Sequence, residues 1–117
     1  QLIKLINKYN NTEYLKGKIR LLQRAAIIFC YYSVKLDSSI YYLNKMRNLS
    51  EKINYNKGKL WYYLILGNVY YVQTDLDKAG ELYWETYTRT EQDSIVMADA
   101  LAGYADVLMQ QNRFDSS

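Results

Sequence analysis

The sequence predicts an all-α protein, and three observations support that prediction. The 117 residues contain no proline and only five glycines, so few residues would interrupt a helix. Half of the residues are apolar, which is enough to build a core. Apolar residues recur at intervals of three and four, the spacing of one helix face, and no stretch alternates convincingly as a half-buried strand does. We therefore expect several helices packed against one another.

Short polar segments divide the chain into these helices. We expect breaks at NNTE near Asn10, SVKLD near Val34, NYNKG near Tyr55, QTDLD near Thr74, TEQDS near Asp93 and QQNRFD near Asn112. Each segment has the length that usually joins antiparallel neighbouring helices. One apolar face follows the third break, and its members are Leu60, Tyr63, Leu64, Gly67, Tyr70 and Tyr71. The helix before it carries a similar face, formed by Ser39, Tyr42, Leu43, Met46, Leu49 and Ile53.

Three aspartates that follow a large apolar residue are expected at helix starts, where a carboxylate faces the positive end of the helix dipole. They are Asp37 after Leu36, Asp77 after Leu76 and Asp115 after Phe114. Their separations of 40 and 38 residues give a period of about 39, which is typical of a repeated pair of helices. We therefore expect an α-solenoid of antiparallel helical hairpins with about three repeats.

One hairpin carries a motif at fixed spacing, formed by Tyr63, Leu66, Gly67, Tyr70, Ala79 and Tyr83. The motif resembles the tetratricopeptide repeat, which has Trp and Phe where this chain has Tyr63 and Tyr83. Gly67 and Ala79 would let the two helices approach closely, and the aromatic rings would fill the space between them. The resemblance implies a right-handed superhelix that binds a peptide or protein segment on its concave side.

The neighbouring units are poorer copies. The third has small or apolar residues in the same spacing, at Leu101, Tyr104, Ala105, Leu108 and Ser117. The first fits its second helix well, but its first helix aligns through either Ala26 and Phe29 or Ile27 and Cys30. Ala26 is the better occupant of a close-contact position because it is small. The long period and the missing closing proline resemble the repeats of bacterial signalling proteins.

The expected division treats residues 1–117 as one array. Residues 1–10 would end a preceding repeat, 13–54 and 57–91 would be complete repeats, and 93–117 would be a truncated third. This division would make the chain a part of a larger protein and leave apolar faces open at both ends. End-to-end self-association is therefore a possible interaction.

Composition removes several classes of function. Histidine is absent, which excludes Ser-His-Asp and Cys-His nucleophiles, and the single cysteine, Cys30, lies in an apolar run typical of a core. We expect no enzyme activity, no cofactor and no metal site.

The longest apolar run is too short to span a membrane. Residues 1–60 carry a net charge of +9 and residues 61–117 of −6. We interpret the basic half as solvated helix faces and expect no nucleic acid as partner. The compartment stays open between cytoplasm and periplasm.

The expected ligand surface is the stripe of each first helix that its own hairpin partner leaves free. In the second unit the stripe is Trp61, Leu64, Asn68 and Tyr71, and in the third it is Asp99, Ala102, Asp106 and Met109. In the first unit it is Arg20, Gln23, Ile27 and Tyr31. The residues that we expect to line the ligand groove are Tyr31, Trp61, Leu64, Asn68, Tyr71, Asp99, Asp106 and Met109. Alternatively, Trp61 and Tyr71 simply pack on adjacent hairpins.

Two rival functions stand beside peptide binding. The array could be the sensory or regulatory part of a bacterial transcription regulator or sensor protein, in which case a DNA-binding or membrane-linked segment would flank it. Alternatively, the basic half could bind nucleic acid, and its affinity would then fall steeply with salt.

Overall fold

The structure is a computed structural model that describes the backbone of residues 2–31, 35–90 and 93–116 and the side chains of residues 11–31, 35–90 and 93–112. Five helices account for nearly all of these residues: α1 (Leu2–Tyr31), α2 (Leu36–Lys52), α3 (Asn56–Val72), α4 (Leu76–Arg89) and α5 (Ser94–Ser116). No strand occurs within the described ranges. The predicted all-α class is confirmed for this part of the chain.

Each helix packs on the next one in the chain, and α3 also contacts both α1 and α5. By contrast, α2 and α4 do not contact each other within the described residues. Consequently α1, α3 and α5 lie side by side, while α2 and α4 fill the spaces between them on the other side. The molecule is an elongated slab with principal extents of 67, 30 and 17 Å.

Two apolar clusters hold the helices together. The first joins α1, α2 and α3, and its buried members are Ile19, Ala26, Cys30, Leu43, Met46, Ile65 and Val69. The second joins α4 and α5 through Ala79, Tyr83 and Val107, with α3 side chains packed against it. Cys30 is fully buried, as its apolar surroundings predict, and burial raises the pKa of its thiol.

Two of the predicted breaks are helix C-caps formed without glycine. After α2, Asn54 has a φ of 53°, and after α3, Thr74 has a φ of 64°. In each turn two backbone amides donate hydrogen bonds back to the helix. After α2, Asn54 N–H donates to the Glu51 carbonyl and Tyr55 N–H to the Ser50 carbonyl. After α3, Thr74 N–H donates to the Tyr71 carbonyl and Asp75 N–H to the Tyr70 carbonyl. This is the Schellman pattern, which satisfies the last carbonyls of a helix. The left-handed residue in it stops α2 and α3 where proline and glycine are missing.

The expected helix starts are confirmed near two aspartates, with a shift of one or two residues. α2 begins at Leu36 and α4 at Leu76, so that Asp37 and Asp77 lie in the first turns. The side chain that caps α4 is instead that of Asp75, whose Oδ1 accepts the Lys78 backbone N–H at 3.2 Å. The leucine before each first-turn aspartate packs against an apolar cluster, but it is the first helical residue and follows the N-cap, so it is not the N′ residue of a hydrophobic staple.

Two predicted breaks are wrong. α1 continues through residues 10–13, and α5 continues through residues 110–116, so that Asp115 lies near the end of a helix and not at its start. Polar residues with modest helix preference cost a few tenths of a kcal/mol each, which neighbouring contacts readily offset. Only the 40-residue spacing between the starts of α2 and α4 therefore remains of the predicted period. Val34 lies outside the described residues.

The close contacts predicted inside the hairpins are present. A Cβ placed on Gly67 would lie 2.9 Å from the Tyr83 ring, and Ala79 on the facing helix is fully buried. In the first hairpin Ala26 is fully buried, and its carbonyl accepts the Ser39 hydroxyl at 2.8 Å. Cys30 of the alternative alignment is equally buried, and Phe29 and Ile27 are both half-buried, so burial alone does not decide between the two alignments.

Candidate functional site

The candidate site is the surface formed by α1, α3 and α5, and its centre is a hydrogen bond between two helices. Tyr83 of α4 is buried, and its ring lies between Gly67 of α3 and Gly103 of α5. The Tyr83 hydroxyl passes between these helices and donates to Asn68 Oδ1 at 2.5 Å. The oxygen of the Asn68 amide is therefore committed to the interior. The Nδ2 group of this half-buried side chain has no hydrogen-bond partner among the described residues and remains free to donate.

Two further tyrosines lie near this bond. Partial burial raises the pKa of Tyr31, at the end of α1, to about 12, and the nearby Cys30 and Tyr71 add to the rise. Burial also raises the pKa of Tyr83, and the charges of Tyr31, Tyr71 and Asp106 raise it further. Tyr31, Tyr71 and Asp106 are therefore close enough to Tyr83, the partner of Asn68, to affect its pKa. We call Tyr31, Asn68, Tyr71, Tyr83 and Asp106 the tyrosine cluster.

Four of the eight predicted groove residues belong to this cluster: Tyr31, Asn68, Tyr71 and Asp106. Each lies on α1, α3 or α5, the three helices that lie side by side. Tyr31 and Asp106 are exposed, whereas Asn68 and Tyr71 are half-buried. The cluster therefore has a solvent-accessible surface above a buried base.

The other four predicted residues lie around the cluster. Trp61 is half-buried against the first apolar cluster, where Tyr55 meets it edge to face at a centroid distance of 6.3 Å. Leu64 packs against the second apolar cluster. Asp99 and Met109 are exposed on α5, seven residues before and three residues after Asp106 on the same face. Trp61 and Tyr71 therefore each pack part of their surface against the apolar clusters, as the alternative prediction states.

Sequence reasoning assigned Tyr83 to packing alone and did not predict that its hydroxyl bonds Asn68. The signal was available, since the tetratricopeptide pattern that the motif resembles has phenylalanine at this position. A tyrosine there adds a buried hydroxyl, and a buried hydroxyl requires a partner. That partner is one of the predicted groove residues, Asn68.

A second concave surface lies between α4 and α5, and we call it the outer groove. Its volume is about 460 Å³, and its apolar lining includes Trp84, Tyr104, Val107 and Leu108. The Trp84 and Tyr104 rings lie 5.3 Å apart, and both Trp84 and Leu108 are nearly half exposed. Asp77 and Glu81 make its rim acidic. Leu101 and Leu108 of α5 are exposed to solvent.

Other residues that could have carried chemistry have structural roles. Glu85 binds Arg89 Nε at 2.7 Å in an ion pair on the surface of α4. Gly17 lies in the middle of α1, and Gly58 packs on Ser50 inside α3, so neither belongs to a phosphate-binding loop. Among the described residues, no three acidic or cysteine side chains lie close enough to hold a metal ion. The described helices also include none that is both long and apolar enough to cross a bilayer.

Comparison with known proteins identifies no relative. The chain matches no protein-family model, no curated protein and no solved structure. The tetratricopeptide resemblance therefore rests on the sequence motif alone.

Proposed function

We propose that this chain is a non-catalytic scaffold of tetratricopeptide-like hairpins that binds an extended peptide or protein segment along the surface of α1, α3 and α5. The observation that carries the proposal is the Asn68–Tyr83 hydrogen bond, because it fixes an amide donor at the centre of this surface. A fixed N–H donor on a flat helical surface suits a peptide carbonyl, which recurs along any extended segment.

The arrangement of the helices supports a solenoid. Contacts run from α1 to α3 and from α3 to α5, and the described residues show none between α2 and α4. A stack of hairpins in which the first helices face inwards requires this pattern. The side-by-side helices then provide the long, shallow surface that an extended segment needs.

The charges of this surface predict the orientation of the bound segment. Asp99 and Asp106 are exposed on α5, whereas Arg20 is exposed on α1. A segment with basic residues over α5 and acidic or polar residues over α1 would match these charges. Tyr31 and Tyr71 add aromatic surface with hydroxyl groups between the two ends.

The test uses an array of immobilised 12-residue peptides that vary the order of acidic, polar and basic residues. The 117-residue protein should retain peptides of the predicted polarity, and fluorescence anisotropy would then give their Kd. Reversing the order of charges in a bound peptide should weaken binding at least tenfold. Equal affinity for both orders would refute the assigned direction.

Two variants address the surface itself. Asn68→Asp keeps an oxygen for Tyr83 but removes the amide N–H donor, and Asp106→Lys reverses the charge above α5. Both should weaken binding at least tenfold. Glu81→Lys is the matched control because Glu81 is an equally exposed acid on α4, outside this surface. If Glu81→Lys weakens binding as much as Asp106→Lys, the ligand does not lie on the α1–α3–α5 surface.

A further inference from the structure

A small cavity lies on the face of α3 opposite the proposed peptide surface. It has a volume of about 70 Å³ and is lined by Arg47 and Glu51 of α2, by Lys59, Tyr62 and Tyr63 of α3, and by Arg89 of α4. At 100° per residue, Lys59 and Tyr62 project from α3 roughly opposite Leu64 and Asn68. The cavity is thus separate from the tyrosine cluster.

Three cationic side chains from three helices converge on this cavity. The Arg47 guanidinium lies 5.0 Å from the centre of the Tyr62 ring, and that of Arg89 lies 4.7 Å from the centre of the Tyr63 ring. Contact with a ring face holds each guanidinium in place, and Arg47 Nη1 also donates to the Tyr62 hydroxyl at 3.4 Å, so that part of each guanidinium edge is left for an anion. Lys59 Nζ is held by Asn54 Oδ1 at 3.0 Å, a neutral partner that leaves its charge uncompensated.

The acids near these cations neutralise them only in part. Glu85 binds the Arg89 Nε, which leaves the two terminal nitrogens of that guanidinium. Glu51 is the carboxylate that lines the cavity, and no salt bridge joins it to a described cation. The lining residues therefore carry three positive charges against one negative charge.

Two kinds of hydrogen-bond donor beside the cavity, one on a side chain and one on the backbone, also favour an anion. Arg47 Nε is buried and has no hydrogen-bond partner among the described residues. α3 begins beside the cavity at Asn56, and Tyr55, which precedes it, provides no side-chain cap. The first amides of an uncapped helix lack partners and present the positive end of the helix dipole. A buried donor such as Arg47 Nε normally has an acceptor, and none of the described residues supplies one.

We propose that this cavity binds a phosphoryl group, either as inorganic phosphate or as a small phosphate monoester. A phosphate dianion offers three or more acceptor oxygens and two charges, which fit guanidinium donors on two sides, an ammonium group and a helix N-terminus. A carboxylate has one charge and two oxygens and would leave part of this set unused. The phosphoryl group would bind between α2, α3 and α4 and tie both hairpins together.

The test measures thermal melting and calorimetric binding of the 117-residue protein with sodium phosphate, with O-phosphoserine and with sodium acetate, each at the same ionic strength adjusted with sodium chloride. Phosphate or phosphoserine should raise the Tm in a saturable way, and acetate should not. A tenfold preference for phosphoserine over phosphate would assign a monoester, and the reverse order would assign the free ion. Equal effects of acetate and both phosphates would refute the phosphoryl site.

Variants locate the site. Arg47→Lys keeps the positive charge but removes the Nε–H donor, and Arg89→Gln removes a charge, so each should weaken phosphate binding at least tenfold. Arg24→Gln is the control because Arg24 is exposed on α1. In a ¹⁵N NMR spectrum of the unsubstituted protein, phosphate should shift the signals of the Asn56 amide and the Arg47 Nε–H. This measurement tests the site even if a variant folds poorly. Unshifted signals at both groups, or undiminished binding by Arg47→Lys, would overturn the proposal.

Discussion

The ring of Tyr83 is held between two glycines of different helices, and this contact can be tested directly by Gly103→Ala. A Cβ on Gly103 would lie 2.8 Å from two atoms of the ring. The ring cannot move away towards α3, because on that side a Cβ on Gly67 would already lie 2.9 Å from it. Since Tyr83 is only 3% exposed, no solvent space is available either. The added methyl must therefore displace a helix or break the packing.

The expected change combines three effects. Replacing a helical glycine by alanine gains about 1 kcal/mol of helix propensity. Forcing a methyl into a packed site costs about 1–3 kcal/mol, and losing the Tyr83–Asn68 hydrogen bond costs about 1 kcal/mol more. The balance is a loss of about 2 kcal/mol in the free energy of unfolding, which for a chain of this size lowers the Tm by about 8 °C.

The assay is thermal melting followed by circular dichroism, with Gly17→Ala as the matched control. Gly17 lies inside α1, and a Cβ there would meet no atom within 4 Å, so alanine should raise the Tm by about 4 °C. In a Tyr83→Leu background the clash disappears, and Gly103→Ala should then also raise the Tm. If Gly103→Ala stabilises the protein with Tyr83 in place, the ring is not held between the two helices.

Three other predictions concern the turns, the tyrosines and the apolar faces. Thr74→Gly should raise the Tm by about 4 °C in a melting experiment, because threonine at a φ of 64° costs about 1 kcal/mol that glycine avoids; an unchanged Tm would contradict that strain. Tyr31 has a pKa near 10 in the unfolded chain and about 12 in the folded one, so unfolding releases its proton and stability falls as the pH rises from about 10 to 12. Denaturant titrations at several pH values should give a shallower fall for Tyr31→Phe, and an equal fall would show that Tyr31 titrates normally. Leu21 is exposed on basic α1 and Leu108 in the acidic-rimmed outer groove, so sedimentation at high protein concentration should reveal self-association that salt weakens and that either Leu21→Lys or Leu108→Lys reduces. A monomer at all concentrations would exclude it.

Local sequence predicted most of the helices but only part of their buried faces. On α2 three of the four buried residues belong to the predicted apolar face, and the exception is Ser50. On α3 only Leu60 and Gly67 of the predicted face are buried, and the buried Ile65 and Val69 were not predicted. The turns were harder to predict. Asn10 and Asn54 are the same residue type in similar polar segments, yet α1 passes through Asn10 while Asn54 adopts a positive φ. Which asparagine stops a helix depends on whether the following residues can pack elsewhere, and that is a tertiary property.

Spacing also predicted residues that belong to the tyrosine cluster. Asn68 and Tyr71 come from the predicted stripe on α3 and Asp106 from the one on α5, and both Tyr71 and Asp106 are close enough to Tyr83 to raise its pKa. It could not predict that a residue of α4 reaches this surface. Tyr83 does so only because Gly67 and Gly103 allow both helices to approach its ring, and Gly103 was not part of the motif. The distance between neighbouring hairpins therefore had to come from the structure.

The same contact links the stability of the array to the proposed binding. Tyr83 holds the oxygen of Asn68, so the direction of the free amide N–H donor depends on the position of a buried ring. That position is set by two glycines that no peptide on the surface would touch. Gly103→Ala should consequently weaken peptide binding at temperatures well below its Tm, where the helices are still folded, whereas Gly17→Ala should leave the affinity unchanged. If both variants bind equally well, the amide is oriented by the ligand, and the buried hydrogen bond serves stability alone.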